Sequence, residues 1–88
     1  MAQAVVTLLN KVGLHARTAT LFVQLASEFN SNVVVKKDGK EANAKSILDV
    51  LSLGAEHGDV IGIEADGDDG EKAVETLVEL VKNRFYEE

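Results

Sequence analysis

The 88-residue chain contains no cysteine. Disulfides and cysteine-based zinc sites are therefore excluded, and a reducing compartment fits. No apolar run approaches the roughly 20 residues that a membrane span needs. The N-terminus lacks the basic-then-apolar layout of a signal peptide, so a cytoplasmic protein is expected. Cations are in the minority: nine Lys and Arg against fifteen Asp and Glu give a net charge of −6. Nucleic acid needs a basic face to displace counterions, so no direct nucleic-acid partner is expected. An anionic membrane surface is disfavoured for the same reason.

What remains is an ordinary globular composition, with 45% hydrophobic residues. That is too apolar for a disordered chain and enough for one domain, residues 1–88, with one modest core. No linker, repeat or low-complexity segment interrupts it. The acidic residues cluster late, at Asp66, Asp68, Asp69, Glu71, Glu75, Glu79, Glu87 and Glu88. The stretch from Lys11 to Lys45 is richer in cations, which reads either as an end of the fold locally less acidic than the whole or, at least as readily, as a scattered solvated surface.

Periodicity divides the chain into seven elements. Residues 3–9 alternate, with Val6 and Leu8 on one face and Val5 and Thr7 on the other, the pattern of a strand. From Ala16 to Phe29, Phe22, Leu25, Ala26 and Phe29 form the stripe of an amphipathic helix. Asn32–Lys37 is β-branched, Asp38-Gly39 is a hairpin signal, and Lys40–Ala44 reads as the returning strand. Ser46 is a good N-cap for a short helix from Ile47 to Leu53, ended by Gly54. Asp59–Ala65 reads as a fourth strand. Asp68 or Asp69 would cap a last helix whose stripe is Val74, Leu77, Val78 and Val81, broadened by Ala73 and Leu80.

The order is thus β-α-β-β-α-β-α, an α+β fold with helices layered on one face of a sheet. A long helix joins strands one and two, which can be parallel. A right-handed crossover leaves a slot between them. Strand four fills that slot antiparallel to both, which predicts a four-stranded antiparallel sheet of order 1-4-2-3. Three helices on one face make this an open-faced β-sandwich.

Within this frame Gly13-Leu14-His15-Ala16-Arg17 carries the chemistry. It places a histidine where a strand has ended and a helix begins. A neutral imidazole is a nucleophile near pH 7, since its unperturbed pKa is about 6.5. A helix N-terminus offers outward N–H groups and a partial positive charge, which suit a phosphate. Arg17 adds a planar donor fork matched to phosphate oxygens. Taken alone, a histidine before a helix is more often a cap or a surface residue.

The segment Gly13-Leu14-His15-Ala16-Arg17 resembles the active-site signature of the histidine-containing phosphocarrier (HPr) family of the bacterial phosphoenolpyruvate-dependent sugar phosphotransferase system. Ala44-Lys45-Ser46-Ile47-Leu48, followed by Leu51, Ser52, Leu53 and Gly54, resembles the family's regulatory serine segment. The similarity spans essentially the whole chain. It implies that His15 accepts a phosphoryl group through Nδ1 from enzyme I and passes it to sugar-specific enzyme IIA proteins for sugar uptake. His15 and Arg17 would then be the catalytic pair, with Arg17 and the backbone N–H groups of Ala16, Arg17 and Thr18 around the phosphate. Ser46 would match the site of an HPr kinase/phosphorylase in low-GC Gram-positive relatives, read by a catabolite-control transcription regulator. Ile47, Leu48 and Leu51 would form the docking patch, with Thr20 at its edge.

Such a protein is a monomeric substrate of other enzymes rather than a stand-alone catalyst, and it needs no cofactor or metal. A regulatory binding module of the same fold, or a nitrogen-branch paralogue acting mainly through docking, is the alternative. The family usually has proline after the arginine, where this chain has Thr18. Thr18 restores an N–H and adds a hydroxyl, which is expected to loosen the first turn slightly and to offer the phosphate another donor.

Other candidates are weaker. His57 lies in a Glu56-His57-Gly58 turn and reads as exposed and inert. His15 and His57 lack the spacing and neighbours of a metal site. Ser27, Ser31 and Ser52 have no adjacent base pattern for nucleophilic catalysis. The acidic run from Asp66 to Glu71 lacks the layout of a calcium loop.

Overall fold

A computed structural model describes residues 1–86. Its elements are β1 (Ala2–Thr7), α1 (Ala16–Ala26), β2 (Asn32–Lys37), β3 (Lys40–Asn43), α2 (Ile47–Ser52), β4 (Val60–Asp66) and α3 (Gly70–Lys82). The sheet order is β1-β4-β2-β3, with every neighbouring pair antiparallel. Both β1 and β2 run antiparallel to β4, so they are parallel to each other across it. The order and direction expected from the α1 crossover are those observed.

Alternation places the strands. In β1 Val6 is buried, as is Leu8 just beyond it, while Val5 is 73% exposed. The core lies between the helices and one sheet face, around Phe22 of α1, Leu77 and Val81 of α3, Val35 of β2 and Ile61 and Ile63 of β4. Each such side chain contributes about 1.5–3 kcal/mol through burial. The other sheet face stays open. There Val5 and Lys36 flank Gly62 in register, and Lys36 pairs with Glu64 at 2.9 Å and Glu41 at 3.5 Å. The Asp38-Gly39 turn has φ of 50° and 81°, the doubly positive geometry that a tight hairpin requires.

One boundary and one cap differ from expectation for one tertiary reason. Helix α1 stops at Ala26 with Ser27 as its C-cap, short of the expected Phe29. Glu28 and Phe29 instead make tighter bonds to the carbonyls three residues back. The Lys45 ammonium donates to the Phe29 carbonyl at 2.6 Å. Beyond it, the Asn30 and Ser31 N–H groups donate to the Asp69 carboxylate at 2.8 and 2.9 Å. The Ser31 hydroxyl donates to the same group. Asp69 is indeed the N-cap residue of α3, but its side chain makes no bond to its own helix. The expected cap is used to tie down the end of α1. Sequence periodicity does not register a contact that spans 38 or 39 positions.

After α3 the chain turns through Arg84, Phe85 and Tyr86, all with φ between 52° and 58°. Left-handed backbone costs non-glycine residues roughly 1–2 kcal/mol each. Burial of Phe85, 1% exposed, offsets part of that cost.

Candidate functional site

The site is built where α1 begins. His15 is the N-cap of α1 with extended backbone, φ −95° and ψ −175°. The first intrahelical bond runs from the Ala19 N–H to the His15 carbonyl at 2.7 Å. Helix geometry points the first-turn N–H groups, those of residues 16–18, out of the helix end. His15, Ala16 and Arg17 are all exposed there. No acidic residue stands in this first turn. A cation at a helix N-terminus opposes the dipole, which costs about 0.3–1 kcal/mol. Arg17 is such a residue.

Thr18 behaves differently from the expectation. It is fully buried. Its hydroxyl donates to the Gly13 carbonyl at 2.5 Å and accepts the His15 N–H at 3.1 Å. The hydroxyl is therefore turned inward, and it ties the first turn to the preceding loop instead of loosening it. The backbone N–H of Thr18 faces the His15 side chain, the other half of a capping box.

The loop before His15 is pinned by residues that periodicity does not single out. Asn10, 1% exposed, donates from Nδ2 to the same Gly13 carbonyl at 2.9 Å. Gly13 has φ of 65°, and a Cβ there would lie 2.5 Å from the Glu56 Cα. Only glycine fits both the conformation and the approach. The Leu14 N–H donates to the Ala55 carbonyl at 2.9 Å. The loop of residues 8–14 thus runs against residues 55–59, continuing the β1–β4 neighbourhood past the end of the sheet.

A hollow of about 240 Å³ opens beside the histidine, lined by Leu14, His15, Ala16, Leu51, Gly54, Ala55 and Glu56. Leu51 brings α2 to the edge of His15. Glu56 brings an acidic residue, so the site is less cationic than the charge distribution along the chain implies. Ile47 and Leu48 are 37% and 76% exposed, while Leu53 is core at 2%. Among the described residues, α2 therefore presents an apolar strip running from Leu48 through Leu51 to the hollow. Thr20 is half-buried and donates from its hydroxyl to the Ala16 carbonyl at 2.6 Å. Ser46, as expected, is the N-cap of α2 and accepts the Asp49 N–H at 3.4 Å. His57 is exposed, its Nδ1 3.1 Å from the Asn10 carbonyl oxygen, and it does not line the hollow.

Comparison with known proteins agrees with this geometry. The family model described as the PTS HPr component phosphorylation site matches residues 2–83. The phosphocarrier protein HPr of Xylella fastidiosa is 44% identical over 88 residues, covering 100% of this chain and 99% of that protein. The HPr-like protein Crh of Bacillus subtilis is 44% identical, over 93% of this chain and 96% of that protein. The crystal structure of HPr-C-His from Thermoanaerobacter tengcongensis superposes with a TM-score of 0.97 at 49% identity, covering 100% and 99% of the two chains. An exposed histidine at a helix start, on this fold and in this lineage, leads to one conclusion: the chain belongs to the HPr family of phosphotransferase-system phosphocarriers.

Proposed function

We propose that His15 accepts a phosphoryl group from enzyme I and gives it to enzyme IIA proteins that serve sugar uptake. The observation that carries this reading is the exposed imidazole at the N-cap of α1, with Arg17 on the same exposed first turn. Phosphoryl transfer passes through a loose transition state, so the protein mainly orients groups and offsets charge. His15 supplies the nucleophilic nitrogen. Arg17 and the N–H groups of residues 16–18 meet the phosphoryl oxygens.

A carrier must also release its cargo, because each ~1.4 kcal/mol of extra stabilisation shifts the transfer equilibrium tenfold. A helix terminus contributes about 0.3–1 kcal/mol, and one exposed guanidinium a similarly modest amount. These terms suit a shuttle, whereas a buried cage of arginines would make a trap. Ile47, Leu48 and Leu51 form the docking strip beside the nucleophile, with Thr20 at its border.

The protein acts as a monomer in the cytoplasm, and sedimentation at working concentration tests the first point. Solved neighbours include an HPr dimer from Thermoanaerobacter tengcongensis and a Crh dimer, so a dimeric result would require revision. Ser46 supports a second, regulatory reading. It stands at the border of the docking strip, and Crh-type relatives are among the similar proteins.

The deciding experiment incubates the protein with phosphoenolpyruvate, magnesium and enzyme I, with His15→Ala alongside. An acid-labile phosphate on the wild type and none on the variant is expected. No labelling of the wild type, under conditions that charge another HPr, would favour the binding-module reading.

A further inference from the structure

One cation holds both ends of the segment that walls the hollow beside His15. Lys37, the last residue of β2, donates from Nζ to the Gly54 carbonyl at 3.4 Å and pairs with Asp59 Oδ2 at 3.4 Å. Its side chain is only 17% exposed, so solvent and salt screen it less than a free surface lysine. Asp59 passes the restraint on. Its Oδ2 accepts the Glu56 N–H at 2.8 Å, and its own N–H returns to the Glu56 carbonyl at 3.0 Å. Residues 56–59 are thereby closed into a turn. The Glu56 N–H, seconded by Lys37, also holds the Asp59 carboxyl below the usual carboxylate range.

The clamped segment touches the loop that aims the histidine. Ala55 accepts the Leu14 N–H, and the Ala55–Glu56 backbone closes on Gly13. Gly13 and Leu14 immediately precede His15. On the other side, the Thr18 hydroxyl fixes the His15 N–H from within α1. The backbone at His15 is thus set between two supports, and the Ala55–Glu56 support hangs on Lys37 and Asp59.

We propose that Lys37 and Asp59 are positioning residues for phosphoryl transfer at His15, acting through the Gly54–Glu56 wall of the hollow. This rests on His15 being the phosphoryl acceptor. Neither residue touches the imidazole. They keep Ala55 and Glu56 where Leu14 and Gly13 need them, which fixes the ring against an incoming phosphoryl group. A loosened wall leaves the nucleophile present but poorly aimed, and misplacement of about 1 Å costs up to 100-fold in rate.

The test compares wild type, Asp59→Ala, Asp59→Asn and Lys37→Met in steady-state transfer from phosphorylated enzyme I, with this protein as the varied substrate. Wild type is assayed first. If it takes no phosphate, the reading of His15 fails and not the positioning role. With an active wild type, Asp59→Ala should lower kcat about tenfold and leave KM within about twofold, since Ile47 and Leu48 are untouched. Asp59→Asn keeps an oxygen for the Glu56 N–H and should recover most of the rate, while Lys37→Met should fall between. Hydrogen exchange at the Leu14 amide should rise in step with the loss of rate.

The proposal is overturned if kcat stays at the wild-type value in Asp59→Ala and Lys37→Met while only thermal stability falls. It is equally overturned if KM rises with kcat unchanged. If Asp59→Ala does not fold, Asp59→Asn and Lys37→Met decide by the same criteria.

Discussion

Replacing Gly13 by alanine should damage this protein through two separable effects. The first is conformational: φ of 65° at Gly13 places an L-residue in the left-handed region, at a cost of roughly 1–2 kcal/mol. The second is steric, because the new Cβ would meet the Glu56 Cα at 2.5 Å and the Ala55 carbonyl oxygen at 2.6 Å. Both are backbone atoms, so neither can swing aside, and overpacking of this kind costs about 1–3 kcal/mol. The sum is about 2–5 kcal/mol. At roughly 4–8 °C per kcal/mol for a domain of this size, a loss near 3 kcal/mol lowers Tm by about 12–24 °C.

Gly39→Ala supplies the control. Gly39 has φ of 81° and nothing within 4 Å of the position its Cβ would take, so it carries the conformational cost alone. Urea unfolding of both variants isolates the steric part by difference. Because the Gly13 carbonyl also receives Thr18 and Asn10, Gly13→Ala should slow phosphoryl transfer to His15, and Gly39→Ala should not. Equal destabilisation in the two variants, or normal transfer in Gly13→Ala, would refute the reasoning.

Thr18→Val keeps the shape and removes the hydroxyl, leaving the His15 N–H without its Thr18 acceptor; urea melts should show a loss of about 1–3 kcal/mol. Thr18→Pro loses the same bonds but recovers about 0.4–1 kcal/mol from a stiffer unfolded chain, so it should be the more stable of the two. Ser46→Asp places charge beside Ile47 and Leu48 and should slow transfer from enzyme I with little change in Tm, an effect that an unchanged rate would exclude. Asp69 is held below the usual carboxylate range, first by the Ser31 hydroxyl and then by the Asn30 N–H. A folded-state pKa below the unfolded one means that this stabilisation is present above about pH 4 and lost as pH falls through the folded value. Urea midpoints measured downward from pH 7 should therefore drop less steeply in Asp69→Asn than in wild type.

Much of this protein is determined by local sequence, because local sequence carries side-chain period and turn chemistry. Alternation at Val5, Val6, Thr7 and Leu8 places β1. The Phe22–Ala26 spacing places α1, and Asp38-Gly39 supplies the hairpin. The long crossover between β1 and β2 then leaves one slot for β4, so even the sheet order is legible. The acceptor candidate is legible too, since His15 and Arg17 are two residues apart on one helix start.

The tertiary structure decided what depends on partners distant in the chain. The Thr18 hydroxyl faces inward because Gly13 and His15 close around it, where a lone threonine suggests only an added donor. Asp69 leaves its own helix because Asn30 and Ser31 offer three donors. Glu56 becomes a neighbour of His15, and Lys37 a support for it, only once the β1–β4 pairing lays residues 8–14 against 55–59. Periodicity encodes which face of an element is buried. It does not encode which polar side chain finds which backbone atom across the fold, because that is set by distances that exist only after the elements have packed.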